Sequence, residues 1–275
     1  MGKPKYSIER PSLEYLSFRG PHRISAGRTD EAGLPGLVFA PVFGRDLPVV
    51  ALAHGWLQPA HRYADTLRFL ASWGFIAVAP DTQRGPVPSH GALALDLQAG
   101  LHLMVAGKLG GGRVRADRNR MGVIGHSIGG GAAVLAAAAE KDLISAVVTV
   151  TPAPTKPSAV VAAARVFVPG LHLIGGSDDM GGETTTDSEA AALAAAWGGP
   201  AQLRTVPGTS HLGLAEGKHW TSLISGSGDE KKIQQVTRLL ATAFLLRHVA
   251  GHDQLADELD GKVKGTKLED LADAE

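Results

Sequence analysis

The chain has 275 residues, 27 Lys plus Arg against 27 Asp plus Glu, 44% apolar and 20% charged residues, and no cysteine. This balance supports a sizeable core, argues against intrinsic disorder and suits one large α/β unit. Absence of cysteine excludes disulfides, thiolate metal sites and a cysteine nucleophile. Zero net charge supplies no global field for nucleic acid, an anionic membrane or a highly charged substrate, so a neutral or modestly polar small molecule is the expected partner.

In chain order, Leu13 to Arg19 and Gly36 to Val42 read as short antiparallel edge strands separated by the Gly/Pro-rich stretch Gly27 to Pro35. No apolar run follows Lys3 and Lys5, so no secretory signal is read, and a cytoplasmic protein is expected unless a signal was trimmed away. From Pro48 a β-α-β pattern begins: strand Val49 to Ala53, helix Arg62 to Trp73, strand Phe75 to Ala79. A helix over Gly91 to Ala106 and a strand over Met121 to Ile124 follow, then a small-residue helix from Gly129. That helix is interrupted by Glu140, Lys141 and Asp142 well short of the ~20 apolar residues of a spanning segment. Strands are expected at Leu143 to Thr151, Leu171 to Ile174 and Gln202 to Val206, with a helix over Asp187 to Trp197. Lys231 to His248 is the closing amphipathic helix, with Ile233, Val236, Leu240 and Phe244 on one face. The pattern predicts an α/β fold with a mostly parallel sheet covered by helices. One domain is expected over residues 1–250, and residues 251–275 read as a charged tail, a surface helix or frayed end.

Gly125-His126-Ser127-Ile128-Gly129 lies between a predicted strand and a predicted helix, where a G-x-S-x-G nucleophile elbow belongs. Glycine is needed at Gly125 and Gly129 because a Cβ there would collide with the neighbouring strand or helix. The bland alternative is a Gly-rich turn with Ser127 as an ordinary helix N-cap. A serine hydroxyl needs a base oriented by a carboxylate. In folds built on this elbow the acid and then the base follow the nucleophile, which removes His22, His54, His61, His90 and His102. His211, in the loop Pro207 to His211 after a strand, is the best remaining base; His172, His219 and His248 read as structural or solvated. For the acid, Gly175…Asp178 and Gly176…Asp179 both have the loop spacing, and alignment of the strand hydrophobics favours Asp179 over Asp178.

The oxyanion needs preorganised N–H donors. Ile128, directly after the serine, is one candidate; Trp56, in the turn His54-Gly55-Trp56 after a strand, is the other, and its ring is either a wall of an acyl pocket or core packing.

Together these residues resemble the α/β-hydrolase superfamily from about Leu13 to His248. The matching stretches are Val49 to Trp56, Ala71 to Val78 with Asp81-Thr82, Arg118 to Gly131 and Gly208 to His211. Within it the chain is similar to bacterial cutinases and polyester hydrolases, with platelet-activating-factor acetylhydrolases and dienelactone-hydrolase-like proteins nearby. The resemblance implies Ser127 as nucleophile, Asp179 as acid and His211 as base, with Trp56 where cutinases hold an aromatic residue beside the oxyanion hole. The chain departs from the cutinase pattern at Ile128, where Met is usual, and at Ala153, where a Trp following Thr-Pro would wall a groove for an aromatic polyester unit. It also lacks C-terminal cysteines, and a strict dienelactone hydrolase would need a cysteine nucleophile.

The expected activity is that of a serine esterase on short-chain esters, using no metal and no cofactor, with an open site because only a short Pro-rich loop separates Asp81 from Gly91. Acyl transfer or perhydrolysis through the same acyl-enzyme and a non-catalytic ligand-binding module are the rivals. Oligomeric state is not legible.

Overall fold

The computed structural model describes residues 11–175, 185–207 and 230–271. Its strands are β1 (Ile24–Arg28), β2 (Gly36–Pro41), β3 (Gly44–Ala53), β4 (Ile76–Pro80), β5 (Val114–His126), β6 (Ile144–Val150), β7 (Gly170–Ile174), β8 (Ala201–Thr205) and β9 (Lys267–Leu268). They form one nine-stranded sheet in the order β1-β2-β4-β3-β5-β6-β7-β8-β9. β1 and β2 at one edge and β9 at the other run antiparallel to their neighbours, and β4 through β8 are parallel. The helices are α1 (Ala64–Ser72), α2 (His90–Ala106), α3 (Ile128–Ala139), α4 (Ala159–Ala163), α5 (Thr185–Ala195), α6 (Glu230–His248) and α7 (Ala256–Asp260).

The central strands are apolar on both faces because both faces are covered. Val50 and Leu52 point into one core with Leu67 and Phe69 of α1 and Leu240 and Phe244 of α6. Val49, Ala51 and Ala53 point into the other with Leu93 and Leu97 of α2 and Ala132 and Ala133 of α3. Among the described residues no helix is long and apolar enough to cross a membrane.

Two edges differ from expectation. Leu13 to Arg19 is not a strand; it holds a single 3-10 turn, Tyr15–Ser17, and β1 begins at Ile24. Leu16 is buried against the α1/α6 face while Phe18 is 65% exposed, so its apolar alternation serves packing on helices. Residues 252–271 are docked instead of frayed. Leu255, Leu259 and Val263 enter the core, and β9 pairs with β8. Arg204 on β8 holds this segment: its fully buried guanidinium donates to the carbonyls of Leu259 and Gly261 at the end of α7. Burial pushes its pKa down, opposed by Asp260.

Thr149 on β6 and the fully buried His172 on β7 share a 2.9 Å hydrogen bond, and the Trp197 ring meets the imidazole edge-on. Burial lowers the His172 pKa to about 3; His248 is lowered to about 4, first by burial and then by Arg247. An unfolded histidine titrates near ~6.5, so below that pH the unfolded chain takes up protons the folded chain refuses. Stability should therefore fall as pH drops from about 6.5 toward 4 and be insensitive to these groups above about 7. Urea midpoints across that range check this, and the His172→Leu/Thr149→Val double variant should flatten the acid limb.

Candidate active site

β3 lies between β4 and β5, so the chain runs outward to β4 on one side and returns on the other. Such a reversal opens a crevice at the C-terminal strand ends, where α/β proteins bind ligands. Ala53, the last residue of β3, is paired with Gly125 of β5. The turn His54-Gly55-Trp56 and the segment Gly125 to Gly129 therefore leave adjacent strands side by side.

Ser127 sits at the N-cap position of α3 with φ 56° and ψ −124°, in a region that strains any residue with a side chain. The strain is held from several directions. Ser127 N–H donates to Val150 O (3.0 Å), and its carbonyl accepts from Gly130 N–H (2.8 Å) and Ala153 N–H (3.1 Å). A Cβ on Gly125 would stand 2.0 Å from Gly129 O, and one on Gly129 would stand 2.4 Å from Ala53 O. The tight start of α3 exists only because both positions lack a side chain.

Gly55 to Gln58 forms a tight turn, closed by Gln58 N–H donating to Gly55 O (3.1 Å), with Leu57 in the left-handed region at φ 55°. Gly55 N–H is already committed to the Tyr63 hydroxyl (2.9 Å). Trp56 N–H and the first helical N–H, Ile128, have no acceptor among the described residues. The buried His54 ring places its nitrogens 2.8 Å from Gly55 O and 2.7 Å from Thr82 O. The Trp56 indole, 51% exposed, donates to Pro86 O (3.0 Å), and Asp81 Oδ1 accepts from Ala60 N–H (2.8 Å). The short loop after β4 thus braces the turn His54-Gly55-Trp56 at two points and Ala60 just beyond it at a third, and Val87 at its tip is 91% exposed. Trp56 is exposed and not part of the core.

Sequence reasoning missed Tyr63. Its hydroxyl binds Gly55 N–H and lies 2.8 Å from His126 Nδ1, linking the turn to the elbow. Nothing marks it in the sequence, since it belongs to no motif and precedes α1 in a 3-10 turn. Tyr63→Phe should lose about 1–3 kcal/mol of stability by stripping a buried N–H of its described partner. It should also lower kcat more than KM is changed; steady-state kinetics and urea denaturation measure the two effects.

The structure brings Ser127, Ile128, Trp56 and Ala153 together. Asp178, Asp179 and His211 lie outside the described residues. Among the described residues no group of three His, Asp or Glu side chains is placed to hold a metal ion.

A mostly parallel sheet with helices on both faces, and a strained serine between the fifth strand and the next helix, define the α/β-hydrolase fold. The chlorophyllase family model matches residues 21–161, from just before β1 into α4, and the chain belongs to this family. That span contains Trp56, Ser127 and Ile128 and ends before Asp178, Asp179 and His211. The chain is also 28% identical to "Cutinase est1" of Thermobifida alba over 142 residues, 50% of this chain and 48% of that protein. It is 28% identical to "Cutinase 2" of Thermobifida cellulosilytica over 152 residues, 54% of this chain and 58% of that protein. Against "Cutinase" of Thermobifida fusca (strain YX) it is 28% identical over 132 residues, 46% and 41% of the two chains. The chain spans about half the length of the curated relatives it matches. The cutinase likeness read from the motifs is borne out, and the chlorophyllase family joins it.

Proposed function

We propose that this chain is a serine carboxylic ester hydrolase working through an acyl-enzyme on Ser127. The observation that carries the proposal is how differently the three serine N-caps among the described residues behave. Ser89 and Ser158 adopt extended backbone and cap α2 and α4 through their hydroxyls, accepting from Ala92 and Val161 N–H. Ser127 takes a strained left-handed conformation and makes no capping bond to α3. An N-cap serine would gain stability from capping, so the strain and the diverted hydroxyl argue for a reactive role. Both names attached to the matches, chlorophyllase and cutinase, are those of ester hydrolases.

In this reading Ser127 Oγ attacks the ester carbonyl carbon as its proton passes to His211, oriented by Asp179 or by the alternative Asp178. Negative charge on the carbonyl oxygen is met by Trp56 N–H and Ile128 N–H, both without a described acceptor, aided by the positive end of α3. The C–O bond to the alcohol breaks and His211 returns the proton to the leaving oxygen. Water then repeats the sequence on the acyl-enzyme, releasing the acid and free Ser127. Trp56, Leu57 and Val87 give an apolar rim suited to short acyl chains, with Ala153 leaving the opposite side small.

The test is hydrolysis of p-nitrophenyl acetate, butyrate and longer esters, with intact-mass analysis after a fluorophosphonate probe. Expected are turnover that falls with chain length and one probe adduct, on Ser127. Turnover without an adduct, or an adduct elsewhere, would sink the serine mechanism.

A further inference from the structure

The N-terminal ends of the parallel strands, opposite Ser127, carry a feature the ester chemistry does not use. The β2–β3 turn exposes Phe43 to 68%. Hydrogen bonds gather cations around it: Val42 N–H donates to Arg23 O (2.9 Å) and Gly44 N–H donates to Arg113 O (3.0 Å). Gly44 is paired with Val114, which sets Arg45 beside Arg113 and Arg115, and the bulge that follows on β5 adds Arg118. Arg23, Arg45, Arg113, Arg115 and Arg118 are all exposed, and none forms an ion pair with an acidic group among the described residues. Two carboxylates lie close by: Asp117 is taken by Arg120 (2.7 Å), while Asp46 is exposed on β3 next to Arg45.

We propose that this end of the sheet is a docking surface for an anionic phospholipid bilayer. Guanidinium groups bind phosphate headgroups in paired hydrogen bonds, and a phenyl ring at the centre enters the apolar boundary beneath them. An aromatic tip ringed by arginines fits a lipid surface better than a duplex, which presents phosphates around grooves and no apolar layer for Phe43. The absence of a membrane partner was expected from zero net charge, but the fold collects cations from three distant stretches into one patch. Along β3, from Gly44 to Ala53, the strand rise of about 3.3 Å per residue puts this patch roughly 30 Å from Ser127. Docking would therefore hold the enzyme with its site turned toward water, and binding would leave hydrolysis of soluble esters unchanged.

The test is co-sedimentation of the full chain with phosphatidylcholine vesicles, with and without phosphatidylglycerol, at low and physiological salt. Expected is binding only to the anionic vesicles, weakening as salt rises. Each arginine replaced should lower the partition coefficient roughly fivefold, so Arg45→Gln/Arg115→Gln should lose about twenty-five-fold, and Phe43→Ser should remove the salt-resistant part. All variants should keep wild-type circular dichroism and p-nitrophenyl ester turnover. Equal binding by wild type and the double variant, no binding to anionic vesicles, or tighter binding to duplex DNA than to those vesicles would each overturn the proposal.

Discussion

Ser127→Ala should lower kcat/KM for p-nitrophenyl butyrate by roughly four orders of magnitude while leaving the fold intact, because a nucleophile cannot be shared out among its neighbours. Ser127→Gly should be as inactive and yet more stable. At φ 56° and ψ −124° the serine occupies a conformation that glycine adopts without penalty, and such strain typically costs ~1–3 kcal/mol. Part of that gain is offset by the greater freedom of glycine in the unfolded chain, so the glycine variant should exceed the alanine variant by about 1 kcal/mol in urea denaturation. A glycine variant less stable than the alanine one would show that the elbow is not strained. An alanine variant with wild-type turnover would remove Ser127 from the chemistry.

Gly129→Ala should be severely damaging, as Gly125→Ala should be, whose Cβ would lie 2.0 Å from Gly129 O. At Gly129 the Cβ would lie 2.4 Å from Ala53 O and 2.6 Å from His54 O, all backbone, so no side chain can swing away. Either α3 backs off or the end of β3 is pushed outward, and both carry candidate oxyanion donors. Overpacking of this kind costs roughly 3 kcal/mol, and a shift of about 1 Å in a catalytic array lowers rate about a hundredfold. The matched control is Gly85→Ala in the loop after β4, where a new Cβ meets nothing within 4 Å and φ is not positive. That change should be neutral or slightly stabilising. If both variants behaved alike in thermal melts and ester assays, close packing at the elbow would not be what the glycine serves.

The central sheet was legible because strands buried on both faces must be apolar along their length, as Val49 to Ala53 and Ile144 to Val150 are. β5 was read only as Met121 to Ile124, since its first half, Val114 to Arg120, carries the charges of a bulged strand start open to solvent. The five-residue α4 was missed outright, being too short to show a period. At the site, Gly125, Ser127 and Gly129 announced themselves because elbow geometry restricts residue type. Tyr63 did not, for its hydroxyl acts on a turn eight residues away through a contact made only by folding. The docking of residues 251–271 was hidden likewise: a buried arginine in β8 reads as a charge in a strand, and Leu255, Leu259 and Val263 are too sparse to suggest a core segment.

That docked segment also settles how the sheet ends. An open sheet leaves a row of unpaired amides and carbonyls at each border, ready to recruit a strand from another molecule. At the β8 border Arg204 and Thr205 are paired with β9, Leu203 O accepts from Glu269 N–H (2.9 Å), and the outward side then presents Lys267, exposed and paired with Glu269 (2.6 Å). A two-residue strand is too short to template another chain, and its charges resist stacking. The segment that carries β9 thus acts as a hem for the β8 border, and a version of the protein cut at residue 251 would keep its elbow while gaining a raw border prone to self-association.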